Sequence, residues 1–132
     1  MIIIGLDNGI IVRNAKNKYK GIKDFWDGID AGNDIVVAYW RKCWGIRDQI
    51  LTVLNEDLEG GRDYRLGLDE LKYVIKLLKE FTIREYWNEY ADSIWTFDEF
   101  KNSQKQIIKN LKILYREMTK DPNIEVYFYD SY

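Results

Sequence analysis

The segment that most constrains this fold comes last. Ile124-Glu125-Val126-Tyr127-Phe128-Tyr129 alternates, with Ile124, Val126 and Phe128 on one face and Glu125, Tyr127 and Tyr129 on the other, which is the period of a half-buried strand. Such a strand is not stable alone in water and needs a neighbour. The available one lies at the opposite end of the sequence. Ile2-Ile3-Ile4-Gly5-Leu6 and Ile10-Ile11-Val12 flank Asp7-Asn8-Gly9, and Asn-Gly suits the positive φ values of a tight hairpin turn. The expectation is a three-stranded, mainly antiparallel sheet made of an N-terminal hairpin and the C-terminal strand.

Between them the pattern turns helical. Asn33 or Asp34 is a plausible N-cap for a long helix to about Leu54, closed by the acids and glycines of 55–61. Leu71, Val74, Ile75, Leu78 and Phe81 recur at helical spacing while Lys72, Lys76 and Lys79 face away, predicting a helix over 69–81. Residues 82–95 carry Tyr86, Trp87, Tyr90 and Trp95 with no clean period. Thr96 and Glu99 then form a capping box, with Trp95 and Phe100 placed as a hydrophobic staple. Phe100, Ile107, Leu111, Leu114 and Met118 make the buried stripe of that last helix, and Pro122 ends it. The fold class expected is α+β, with three helices on the sheet in the order ββααα-β and residues 1–132 in a single domain.

With 20 basic and 22 acidic residues, the net charge of −2 gives no global field for nucleic acid. A local basic run (Arg13, Lys16, Lys18, Lys20, Lys23) reads as a solvated loop. The single cysteine, Cys43, cannot close an internal disulfide, Met1-Ile2-Ile3-Ile4 lacks the basic start of a signal peptide, and no apolar stretch is long enough to span a membrane. A cytoplasmic protein is expected. With no histidine, the usual general base is missing, and a transition-metal site has almost no donors. Asp92, Asp98 and Glu99 make a weak Mg²⁺ set, because acids at a helix start already answer the helix dipole. Gly5-Leu6-Asp7-Asn8-Gly9 lacks the strand-to-helix setting of a phosphate loop. Cys43 reads as a buried, inert thiol. The expectation is a protein without an enzymatic step and without a cofactor.

One residue breaks the pattern of the first long helix. Projecting 35–55 at about 100° per residue collects Trp40, Trp44, Leu51, Val36, Leu54, Tyr39, Cys43, Ile46, Ile50 and Val53 on one arc. Arg47 falls inside that arc, almost in line with Trp40. A guanidinium there needs a carboxylate, a ring face or a ligand, because it cannot shed its charge. Pairing with an acid from 82–98, or snorkelling along the two tryptophans, is the structural solution. The functional one is a pocket in which Trp40 and Trp44 stack a planar group and Arg47 grips an anion, extended by Arg41 and Lys42.

Ala38-Tyr39-Trp40-Arg41-Lys42 and the terminal Glu125-Val126-Tyr127-Phe128-Tyr129-Asp130-Ser131-Tyr132 resemble motifs of a group of small bacteriophage and prophage proteins. In that group an AYWRK-type helix opens the α-helical part and an EVYYSSSW-type aromatic strand closes the chain. Ile94-Trp95-Thr96-Phe97-Asp98 stands where the group has a Gly/Phe-rich stretch, without its glycines. Gly45-Ile46-Arg47 stands where it often has an Ile-His pair. The resemblance implies a phage accessory protein, the kind that grips one host protein or sequesters one host signal.

Two functions are therefore expected in competition. One is a binding protein that docks on a host protein, such as a defence component, through exposed rings among Tyr86, Trp87, Tyr90 and Trp95 or on the outer strand face at Tyr127 and Tyr129. The other is a sponge for a nucleotide-like anion held by Trp40, Trp44 and Arg47.

Overall fold

The Asn-Gly step is not a turn. The computed structural model describes residues 7–26, 32–41, 43–57, 59, 61–80 and 96–131, and in it Asp7–Val12 is one strand, β1. Gly9 serves a ring rather than a bend. A Cβ there would stand 2.4 Å from Cε1 of Tyr129 and 2.7 Å from the backbone oxygen of Ala38, so only glycine lets the Tyr129 ring cross the strand. Residues 1–6, the other arm of the expected hairpin, lie outside the described residues.

The long first helix is also corrected. Ile35–Arg41 is a strand, β2, and only Trp44–Val53 is helical, α1. Ile35, Val36 and Val37 are consecutive β-branched residues, which favour extended backbone. Ile35 through Ala38 are all buried, and an unbroken apolar run cannot be assigned to helix or strand by periodicity. Asn55 follows the end of α1 at φ 59°, a left-handed position that asparagine tolerates.

The remaining elements are β3 (Asp63–Arg65), α2 (Leu68–Glu80), α3 (Phe97–Lys120) and β4 (Val126–Ser131). Among the described residues the protein is thus α+β, with three helices and a four-stranded sheet in the order β2-β1-β4-β3, every neighbouring pair antiparallel. The C-terminal strand pairs with β1 as expected. The three-residue β3, centred on Tyr64, is a fourth strand too short to show a period.

The helix stripes pack as read, apart from Phe81, which lies outside the described residues. Leu71, Val74, Ile75 and Leu78 of α2, and Phe100, Ile107, Leu111, Leu114 and Met118 of α3, share one buried cluster with Ile10, Val12, Trp40, Val126 and Phe128 of the sheet. Thr96 caps α3, its hydroxyl accepting from the Glu99 N–H at 3.1 Å. Two polar residues in the α3 stripe, Gln104 and Asn110, fasten the sheet, Gln104 by accepting from the Trp40 indole. A bulge in β2 skips Val37 between Ala38, opposite Ile10, and Val36, opposite Ile11. Asn110 donates to the Val37 carbonyl at 3.0 Å and to Lys23 O at 2.8 Å, which satisfies an acceptor the bulge takes out of the ladder.

Candidate functional site

Trp40 and Arg47 do not line an open pocket. Trp40 is 0% exposed and its indole N–H donates to Gln104 Oε1 at 3.1 Å, so it is a core residue. Arg47 is 3% exposed and its charge is answered within the protein. Its Nε and Nη2 donate to the Asp130 carboxylate at 3.2 and 3.0 Å, and Nη1 meets Asp48 Oδ1 at 2.9 Å. Asp130 also accepts from Asn8 Nδ2 at 2.6 Å and from the Gly61 N–H at 2.8 Å. Burial alone would raise the Asp130 pKa; the hydrogen bonds from Arg47, Gly61 and Asn8 outweigh it and hold the carboxyl below its ordinary value. The acid expected from 82–98 is supplied instead by β4 and by the next residue of α1. Continuing the two-residue period from Val126 and Phe128 would have placed Asp130 inward, which is the signal that pointed to it.

The outer face of the sheet is aromatic but already engaged. Tyr129 is 9% exposed and lies over Gly9, with the Trp26 ring centroid 6.0 Å away. Burial pushes its phenol well above the usual range, and its hydroxyl has no hydrogen-bond partner among the described residues. Tyr39 sits 6.3 Å from Trp26 and donates to Asp7 Oδ1 at 3.0 Å; burial first, then that hydrogen bond, pushes it up to about 12. Tyr127 is half-buried between the guanidinium groups of Arg13 and Arg65, at 4.7 and 5.6 Å. Tyr129 therefore cannot act as the exposed docking ring expected of it. Arg41 is exposed at the end of β2. Lys42, Tyr86, Trp87, Tyr90 and Trp95 lie outside the described residues, as does the side chain of Trp44.

The feature that stands out was not among the sequence candidates. An open groove of about 510 Å³ runs between α2 and α3, lined by Lys72, Ile75, Lys79, Lys112, Tyr115 and Arg116. Four of the six are cations and none is an acid. The neighbouring Lys79 holds Lys112 below its ordinary value. A second groove of about 290 Å³ lies along α3 and shares Lys112 and Arg116, adding Lys105, Ile108, Lys109 and Ile113.

The sequence held a signal for this face. Projected at 100° per residue, Lys101, Lys105, Lys109, Lys112, Arg116 and Lys120 fall within an arc of about 100° on α3 and extend about 28 Å along it. Lys120 pairs with Glu117 at 3.9 Å and Lys76 with Glu80 at 4.0 Å. Lys72, Lys79, Lys105, Lys109, Lys112 and Arg116 meet no carboxylate among the described residues. Comparison of the chain with family models, with curated proteins and with solved structures finds no match.

Proposed function

We propose that this protein works by binding, without a chemical step, and that it docks on a host protein through the cationic groove between α2 and α3. The observation that supports this reading is a cluster of four cations around an apolar floor of Ile75 and Tyr115, with no acid in the lining, in a chain of net charge −2. Like charges held together cost free energy unless an anion joins them, and complementary charge raises the rate of encounter and selects the partner. The phage setting implied by the Tyr39-Trp40-Arg41-Lys42 resemblance supplies the class of partner, a host protein whose activity is modulated by occupation of its acidic surface.

A nucleotide-like anion is the second reading, moved from Trp40 and Arg47 to this groove, whose volume of about 510 Å³ falls within the usual range for small-ligand pockets. Native mass spectrometry of protein purified from host cells separates the two. Wild type should retain a host protein, and Lys79→Glu with Lys112→Glu should lose it while keeping the circular dichroism spectrum. A retained small anion would select the second reading. Equal retention of the host protein by the charge-reversed variant would remove the groove from the docking surface.

A further inference from the structure

We infer that the occupant of this face is an acid-rich amphipathic helix of the partner, laid along α3. The inference rests on the docking reading above and names the chemistry that the face selects. The cations of α3 follow one another in steps of 4, 4, 3, 4 and 4 residues from Lys101 to Lys120. Residues three and four apart on a helix are neighbours about 5–6 Å apart. Carboxylates spaced the same way on a second helix therefore meet this row along its whole length.

Charge alone would suit any polyanion, so the uncharged residues between the cations decide. Ile75 and Tyr115 floor one groove, and Ile108 and Ile113 the other, on the two flanks of the ridge that carries Lys112 and Arg116. An amphipathic helix enters grooves of this kind with apolar side chains at helical spacing. A single strand of nucleic acid would instead need a series of rings on which successive bases stack, and Tyr115 is the one ring in the two linings. Lys79 and Lys112 face one another from α2 and α3 across the lining of the larger groove and mark the anchor, since a carboxylate seated there is attracted by both.

A synthetic helical peptide of about 20 residues, long enough to cover about 30 Å, provides the probe, with glutamates in 3–4 steps and leucines flanking them. Its twin carries glutamine in place of glutamate, and a thymidine oligonucleotide of about the same length tests the nucleic-acid alternative. Fluorescence anisotropy at low salt should show binding of the acidic peptide, with the twin weaker by about tenfold or more. Lys79→Ala and Lys112→Ala should each weaken the peptide more than Lys101→Ala, which removes a charge at the far end. Ile108→Ser with Ile113→Ser should weaken it without changing the salt dependence, a readout that charge alone does not predict. Equal binding of the twin, tighter binding of the oligonucleotide, or no binding of the peptide would each overturn the inference. If the peptide fails while charge reversal still releases the host protein, the docking reading stands and only the helical occupant is lost; if charge reversal releases nothing, both fall.

Discussion

Replacing Arg47 with methionine tests the interior of the protein more sharply than any other single change. The side chain is of similar length, and Arg47 is itself buried, on a helix whose Ile46 and Ile50 belong to the core. What the substitution removes is the fork that holds Asp130 at 3.0–3.3 Å. The carboxylate, with no exposed side-chain surface, would keep Asn8 Nδ2 and the Gly61 N–H but lose its countercharge. Breaking a buried ion pair by removing one partner costs roughly 3–5 kcal/mol, because the remaining charge is left desolvated. With a urea m-value of about 1.5 kcal/mol per molar, the unfolding midpoint should fall by about 2–3 M. Asp130→Asn should cost less, since Arg47 keeps Asp48, which is partly exposed and close to water. The double variant should be more stable than the sum of the single losses implies, because it no longer buries a lone charge. An Arg47→Met protein with an unchanged midpoint would refute the structural role and return Arg47 to the list of groups awaiting a ligand.

Three further outcomes follow from the same geometry. Gly9→Ala should lose about 1–3 kcal/mol in chemical denaturation, since the new Cβ meets a backbone oxygen as well as the Tyr129 ring and something must shift; an unchanged midpoint would mean that the ring does not lie over the strand. Thr96→Ala should lose on the order of 1 kcal/mol with its cap, and no change in thermal unfolding would argue for a helix that continues upstream of residue 96. In acid, the depressed Asp130 pKa sets the sign: the stability it contributes is complete above the unfolded carboxylate value of about 4 and is lost as pH falls through the lower folded value. Asp130→Asn should therefore flatten the stability profile below about pH 4, and an identical acid limb in wild type and variant would contradict the assignment.

The parts of this fold that were legible in the sequence are those with one buried face and one wet one. The stripes Leu71–Val74–Ile75–Leu78 and Phe100–Ile107–Leu111–Leu114–Met118, the Thr96 cap and the inward face of β4 at Val126 and Phe128 all carry their period openly, and all are buried or bonded as read. Elements with no wet face carry no such period. Buried from Ile35 to Ala38, β2 offers no polar residue to mark its period, so the β-branched triplet was the better guide. Asn8 and Gly9 look like a turn because their side chains are turn chemistry, yet one is a buried partner of Asp130 and the other makes room for a ring. Both reasons lie about 120 residues away in the chain, where no local window reaches.

The candidate face is inconspicuous in the sequence for the opposite reason. Each lysine of α3 taken singly is an ordinary solvated charge, and at net charge −2 the whole chain gives no field. The information lies in where the acids are not. Asp7 and Asp63 lie on the outer sheet face, Asp130 is locked to Arg47, and Glu56, Asp57 and Glu59 crowd the turn after α1. Because the helices cover one side of the sheet, their cations are separated from Asp7 and Asp63 by the thickness of the core. A screening length of about 8 Å in physiological salt then lets the helical layer present its own local field, almost unopposed by the acids behind it. An acidic partner approaching α3 meets Lys105, Lys109, Lys112 and Arg116 in a row. The fold thus turns a nearly neutral sequence into one with a cationic helical face.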